Sequence, residues 1–180
     1  MKRKALIVSI KGTSLSRMEK ILLSKEKPWG IILFKRNLKS YNQIRKLTAH
    51  IKKLTKNKYF PVLIDEEGSN VTRLNKIISH NISANFFGKL YEINKIFCFK
   101  ILKHYIYSLS KFLTELGINI NTIPVLDVLR NHTSKVIGNR SFSKNKKIVK
   151  DLGNFTIKNL HLNKVAAVIK HIPGHGAAKT

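Results

Sequence analysis

Acidic residues are scarce in this chain. Nine Asp and Glu stand against 35 Lys and Arg in 180 residues, giving a formal net charge of +26 and a pI near 10.4. Such a balance suits a polyanion, nucleic acid or an acidic membrane face. The cations form no stripe, however. They run from Arg3 and Lys4 through Lys52, Lys53, Lys56 and Lys58 to Lys144, Lys146, Lys147 and Lys150, and most are Lys rather than Arg. The chain is also heavy in Asn and Ile, so a codon bias toward Lys, Asn and Ile accounts for the charge with no partner. Nucleic acid is therefore not the expected ligand. One cysteine, Cys98, excludes an internal disulfide; among Phe97, Phe99 and Ile101 it reads as a small core residue in a reducing compartment. No apolar run approaches the roughly 20 residues of a membrane span, and a soluble, cytoplasmic protein is expected. The basic opening is followed by only about six apolar residues before Lys11, short of the roughly 7–15 of a signal peptide core, so it reads as a first strand. Dinucleotide-binding glycine fingerprints, a P-loop and a Gly-x-Ser-x-Gly elbow are all missing, as are repeats, linkers and low-complexity segments.

Short apolar runs bounded by turn residues are abundant: Ala5 to Ile10, Gly30 to Phe34, Tyr59 to Ile64, Ile118 to Val128 and Val165 to Ile172. Each has the length and β-branched content of a buried strand. Between them lie helical patterns. Ser14 caps one carrying Met18, Ile21 and Leu22, and Ser40 caps another carrying Ile44, Leu47, Ile51 and Leu54. Two more helices are expected over 93–116, ending at Gly117, and over 144–162, with the apolar stripe of the former, from Ile93 and Ile96 to Leu116, in the core. The stretch from Asn75 to Lys89 reads as a loop. Strands alternating with helices imply parallel βα units in one α/β domain. Five strands fit either an open doubly wound sheet or part of a (β/α)8 barrel, and a whole barrel needs about 250 residues.

In parallel α/β folds the working groups gather at the carboxyl ends of strands. Here the third strand ends in Asp65-Glu66-Glu67-Gly68, followed by Arg73; the fourth ends in Asp127, with Arg130 and Arg140 after it; the fifth ends in Lys170-His171 and the turn Pro173-Gly174-His175-Gly176. Asp65 reads as a site residue, an N-cap or simply the partner of Arg73, and Arg140 as a site residue or a surface cation. A lysine closing the apolar run Ala166 to Ile169 needs a partner or a cavity. His175 is open to acid–base, ligand or structural work. His171 and His175 have the spacing of a zinc pair on a helix, but Pro173 and the glycines oppose a helix there, so no metal is expected.

Taken in order, these segments resemble the catalytic barrel of family 3 glycoside hydrolases. The matching pieces are Trp29-Gly-Ile-Ile-Leu-Phe-Lys-Arg-Asn37, Pro61-Val-Leu-Ile-Asp-Glu-Glu-Gly68 with Val71-Thr-Arg-Leu74, Pro124-Val-Leu-Asp-Val128, Val136-Ile-Gly-Asn-Arg-Ser-Phe142 and Lys170-His-Ile-Pro-Gly-His-Gly176. Within the family they are most similar to the bacterial β-N-acetylhexosaminidases that remove N-acetylglucosamine from cell-wall fragments. The resemblance implies an incomplete TIM barrel of about five βα units over residues 1–180, no cofactor, and a glycan or muropeptide substrate. It also implies that Asp65, Arg73, Arg140, Lys170 and His171 bind the sugar, a carboxylate accepting hydroxyl protons while cations donate to other oxygens.

Two departures stand out. Ser69 and Asn70 replace a common Gly-Arg pair, which is expected to loosen that turn while sparing Asp65 and Arg73. After Gly-His-Gly the family has four residues and then Asp-Ser-His, whose Asp-His dyad is the acid/base; here Ala177-Ala-Lys-Thr180 fills the four. The dyad and the nucleophilic Asp are thus expected beyond Thr180, and this polypeptide is expected to be inactive alone, since a retaining mechanism needs both. A partial barrel exposes unpaired edges on its first and fifth strands, which favours association with a second chain that completes it. The alternative is a non-catalytic remnant that binds sugar or nucleic acid.

Overall fold

A computed structural model of the chain describes residues 3–177. Five parallel strands form one sheet in sequential order: β1 (Lys4–Val8), β2 (Pro28–Leu33), β3 (Val62–Ile64), β4 (Ile120–Asn121) and β5 (Ala166–Ala167). Every neighbour in the sheet is the next strand in sequence. A doubly wound sheet would reverse its order partway, so this order selects the partial barrel. The ladder runs Ile31 to Val62, Leu63 to Ile120 and Ile120 to Ala166, and a further parallel bridge between Val125 and Lys170 carries β4 and β5 toward the site. The apolar runs 118–128 and 165–172 are therefore longer than the strands they contain, because each bends out of the ladder to form a strand-end loop.

The helices are α1 (Arg17–Ile21, continued by a π turn, Leu22–Glu26), α2 (Tyr41–Leu54), α3 (Ala84–Ile93), α4 (Lys95–Glu115) and α5 (Lys146–Leu162). Ser40 caps α2 as expected, accepting from the Gln43 amide. The cap of α1 is Ser16 rather than Ser14: its hydroxyl accepts from the Glu19 amide while Glu19 reaches back, a reciprocal pair that Ser14 cannot make. Helix α3 occupies part of the stretch expected to be loop, capped by Ser83. The single helix expected over 93–116 begins instead at Lys95, because Asn94 ends α3 in extended backbone and caps α4 through the Phe97 amide. That break turns Ile93 and Ile96 out to solvent, at 81% and 84% exposed, so the stripe enters the core only from Cys98 onward. Met18, Ile21 and Leu22 of α1 are likewise exposed. Gly117 has φ +77°, and a side chain there would meet Thr48 Oγ1 at 2.5 Å, so α4 ends where only glycine fits.

The core lies between sheet and helices. Ile31, Leu33, Val62 and Ile64 from the sheet are fully buried against Ile44 and Ile51 of α2, Leu113 of α4, and Leu152 and Leu160 of α5. Cys98 is part of it, its thiol donating to the Phe87 carbonyl, and burial pushes its pKa up to about 11. Ala178–Thr180, which follow the Gly-His-Gly turn, lie outside the described residues, as do Met1 and Lys2.

Candidate functional site

All five residues singled out from the sequence converge at the carboxyl edge of the sheet. β3 delivers three consecutive carboxylates whose sides alternate. Asp65 and Glu67 face Lys170 on one side, while Glu66 turns to the other. Asp65 Oδ2 pairs with Arg73 Nη2 at 3.1 Å, and its Oδ1 accepts from Thr122 Oγ1 at 2.5 Å and lies 3.6 Å from Lys170 Nζ. Arg73 is therefore a partner of Asp65, one of the readings open from the sequence, and it sits in the same cluster as the other cations.

Glu67 is the anchor for the remaining two. Arg140 grips it with two parallel bonds, Nε to Oε2 at 2.7 Å and Nη2 to Oε1 at 3.0 Å, and Lys170 Nζ reaches Oε1 at 2.5 Å. Bidentate guanidinium–carboxylate pairs fix orientation as well as energy. The Glu67 side chain is only 4% exposed, whereas those of Asp65, Arg73 and His171 keep 19%, 28% and 27%. Glu67 thus supports its cations from behind, and Asp65, Arg73 and His171 form the accessible rim. Thr122 Oγ1 also receives Lys170 Nζ at 2.9 Å, tying β4 to β5 beneath Asp65.

His171 is set by Asp127. The carboxylate is 2% exposed, accepts from His171 Nδ1 at 2.6 Å and also takes the His175 backbone amide, which closes the Pro173–Gly176 turn over it. With Nδ1 donating to Asp127, Nε2 is left toward the site, 3.5 Å from Arg140 Nη2. The His171 and His175 rings meet edge to face at 4.6 Å. No group of three or more His, Cys, Asp or Glu among the described residues has the geometry of a metal site.

The electrostatics follow from these contacts. Burial pushes the Asp65 carboxyl up, but the Thr122 hydroxyl, the Lys170 charge and Arg73 together outweigh it and hold the group below the usual carboxylate range. Asp127 behaves alike: burial raises it, and His171 with the His175 amide brings it below the ordinary value. The Glu67 hydrogen bond raises Arg140 above its ordinary value against the cost of burial. Both carboxyls are therefore ionised acceptors, the opposite of what a proton donor requires.

The Ser69–Asn70 turn is not loosened. Asn70 donates to Asn139 Oδ1 at 3.0 Å, Asn139 donates to Ser69 Oγ at 3.2 Å, and Ser69 donates to Asn70 at 3.3 Å. This ring clasps the loop after β3 to the short helical turn (Gly138–Arg140) that presents Arg140. Thr122, Glu67 and the role of Asp127 are the functional features that the list of five omitted. Their signal was present in the sequence, since Glu67 lies in the same acidic triplet and Asp127 interrupts an apolar run.

A partial (β/α) barrel with cations and carboxylates paired at the carboxyl ends of its strands defines a barrel-type domain with its candidate site at that edge. The chain belongs to glycosyl hydrolase family 3: the family's N terminal domain matches residues 4–180. Beta-hexosaminidases of Thioalkalivibrio sulfidiphilus and Nitrosomonas eutropha are each 31% identical to it, over 173 and 172 residues, 96% of this chain and 49% of theirs. Among solved structures, native NagZ from Neisseria gonorrhoeae superposes with a TM-score of 0.91 at 30% identity, covering 98% of this chain and 51% of that one. The same protein has been solved with N-trifluoroacetyl-D-glucosamine, with a TM-score of 0.89. The chain spans about half the length of the curated relatives it matches.

Proposed function

We propose that this chain is the sugar-binding half of a retaining β-N-acetylhexosaminidase that removes terminal β-linked N-acetylglucosamine from cell-wall fragments such as muropeptides. The observation that carries the reading is the clustering of Asp65, Arg73, Arg140, Lys170 and His171 on one sheet edge, with Asp65 ionised and accessible. Asp65 accepts sugar hydroxyls, Arg73, Arg140 and Lys170 donate to ring substituents, and His171 offers Nε2. The beta-hexosaminidase relatives and the glucosamine derivative bound by the neighbouring NagZ support the sugar class.

A retaining hydrolase also needs a raised-pKa acid and a nucleophile across the glycosidic bond, their carboxyls roughly 5–5.5 Å apart. Asp65 and Asp127 are held low by their partners, so neither suits the acid; in this reading the acid and the nucleophile come from the remaining half of the barrel, whether it continues this polypeptide or arrives as a second one. Residues 1–180 are then one portion of a larger domain, working in a cytoplasmic, reducing setting that suits a lone buried thiol. The test is an assay on an aryl N-acetyl-β-glucosaminide. The chain alone should release no aryl alcohol, and the completed barrel should release it in preference to an aryl glucoside. Turnover by the chain alone, or a completed barrel that prefers the glucoside, would overturn the reading.

A further inference from the structure

Glu66 is the one carboxylate of the strand-end triplet that the site does not use. It is fully buried, yet among the described residues it meets no lysine or arginine side chain. Its Oε2 accepts the backbone amides of Arg73 and Leu74 at 2.8 and 3.0 Å, and its Oε1 faces His80 Nε2 at 2.8 Å. Its own backbone is held as well: the Glu66 amide donates to Asn121 Oδ1, and Asn121 Nδ2 donates to the Glu66 carbonyl, at 3.0 and 2.9 Å. Behind His80 lies Tyr105 of α4, its hydroxyl 3.5 Å from Nδ1. Burial and the nearby Glu66 charge push the Tyr105 hydroxyl well above its ordinary pKa, so it remains a donor and His80 presents Nε2–H to the carboxylate.

A buried carboxylate costs free energy unless its lone pairs are filled, and here three donors fill them. One of the three is the backbone amide of Arg73, whose guanidinium pairs with Asp65, and a second is the amide of the next residue, Leu74. The segment 68–82 has little regular structure of its own. What fixes where Arg73 leaves the backbone is this carboxylate together with the Leu74 side chain, which is fully buried.

Resting on the sugar-site reading above, we infer that Glu66, backed by His80, is a positioning residue that holds the Arg73 backbone so that its guanidinium meets Asp65 and the sugar. Glu66 itself never reaches the ligand. Glu66→Leu removes the acceptor from all three donors, so the Arg73 amide loses its partner; a glutamine would not do so, because its one oxygen can still take both amides while its NH2 faces His80 in the other tautomer.

The test is a double-mutant cycle on N-acetylglucosamine affinity, measured by calorimetric titration for wild type, Glu66→Leu, Arg73→Ala and the double variant. Glu66→Leu should weaken binding by about tenfold, the scale of one charge-assisted hydrogen bond. The double variant should bind no more weakly than Arg73→Ala alone, because both changes act through one group. Additive losses, or wild-type affinity in Glu66→Leu, would overturn the inference. If Glu66→Leu does not fold by circular dichroism, His80→Leu takes its place, with a smaller loss and the same non-additivity required. Should the wild type bind no sugar, the site reading fails separately, and the Arg73 Nε–Hε NMR resonance decides the matter. A shift or broadening in Glu66→Leu supports positioning, and an unmoved resonance contradicts it.

Discussion

Asp127 shows how one buried carboxylate can set two parts of a site. Replacing it by Asn removes the acceptor for His171 Nδ1 and leaves the His175 amide with a poorer partner. Chemical denaturation should record a loss of roughly 1.5–3 kcal/mol, the range for hydrogen bonds to charged groups. Acid sensitivity should change with it. Asp65 and Asp127 have lowered pKa values in the fold, so their contribution is complete above the unfolded carboxylate pKa of about 3.9 and disappears as pH falls through the lower folded values. Thermal melts should thus show no change from these two groups between neutrality and about pH 4, a fall below it, and a shallower fall in Asp127→Asn. Arg140→Lys should also destabilise, because an ammonium cannot reproduce the two parallel bonds to Glu67. At this scale the sequence was informative where polar residues end apolar runs, which is why Asp65, Lys170 and His171 stood out, whereas Arg140 stood out only through the motif Val136–Phe142 that carries the family resemblance. It was silent on which way each side chain points once a strand has left its ladder. Glu66 and Glu67 look equivalent in the chain and differ in the fold by facing opposite sides.

Elements bring those residues within reach, and their junctions are tight. A side chain on Gly88 of α3 would lie 1.7 Å from the Phe142 carbonyl oxygen, so α3 presses directly on the segment that follows Arg140. Gly88→Ala should cost about 1–3 kcal/mol through overpacking, whereas Gly12→Ala, with nothing within 4 Å, should cost far less. Comparing their melting temperatures checks this. Asn94→Ala should cost about 1 kcal/mol by removing the cap of α4. Helix α3 went unread because Asn75–Lys89 is polar and irregular at its start, although Ser83 before Phe86, Phe87, Leu90 and Tyr91 carries a cap and helical spacing. The break at Asn94 was hidden by the apolar residues on both sides of it. The strands and α2 were legible because uninterrupted apolar runs and a serine cap leave little alternative.

Across the whole molecule, the sheet presents two edges. Leu6 and Ile7 on β1 are about half exposed, at 54% and 48%, and Val168, Ile169 and Ile172 after β5 are exposed as well. Unpaired edges with apolar neighbours recruit further strands. The isolated chain should therefore self-associate as concentration rises in size exclusion with light scattering, and Leu6→Lys with Ile169→Lys should reduce it; a monomer at every concentration would contradict this. The sequential strand order that makes the fold a barrel portion could not be read from periodicity, which fits open and closed sheets equally. It came from the family motifs and then from the sheet itself.

The sugar site is tested most directly by an NMR titration of the chain with N-acetylglucosamine, wild type against Asp65→Ala. Saturable shifts should be confined to Asp65, Arg73, Arg140, Lys170, His171 and their neighbours, and should be abolished in Asp65→Ala in a protein that remains folded. Shifts elsewhere on the surface, or binding that survives Asp65→Ala unchanged, would contradict it.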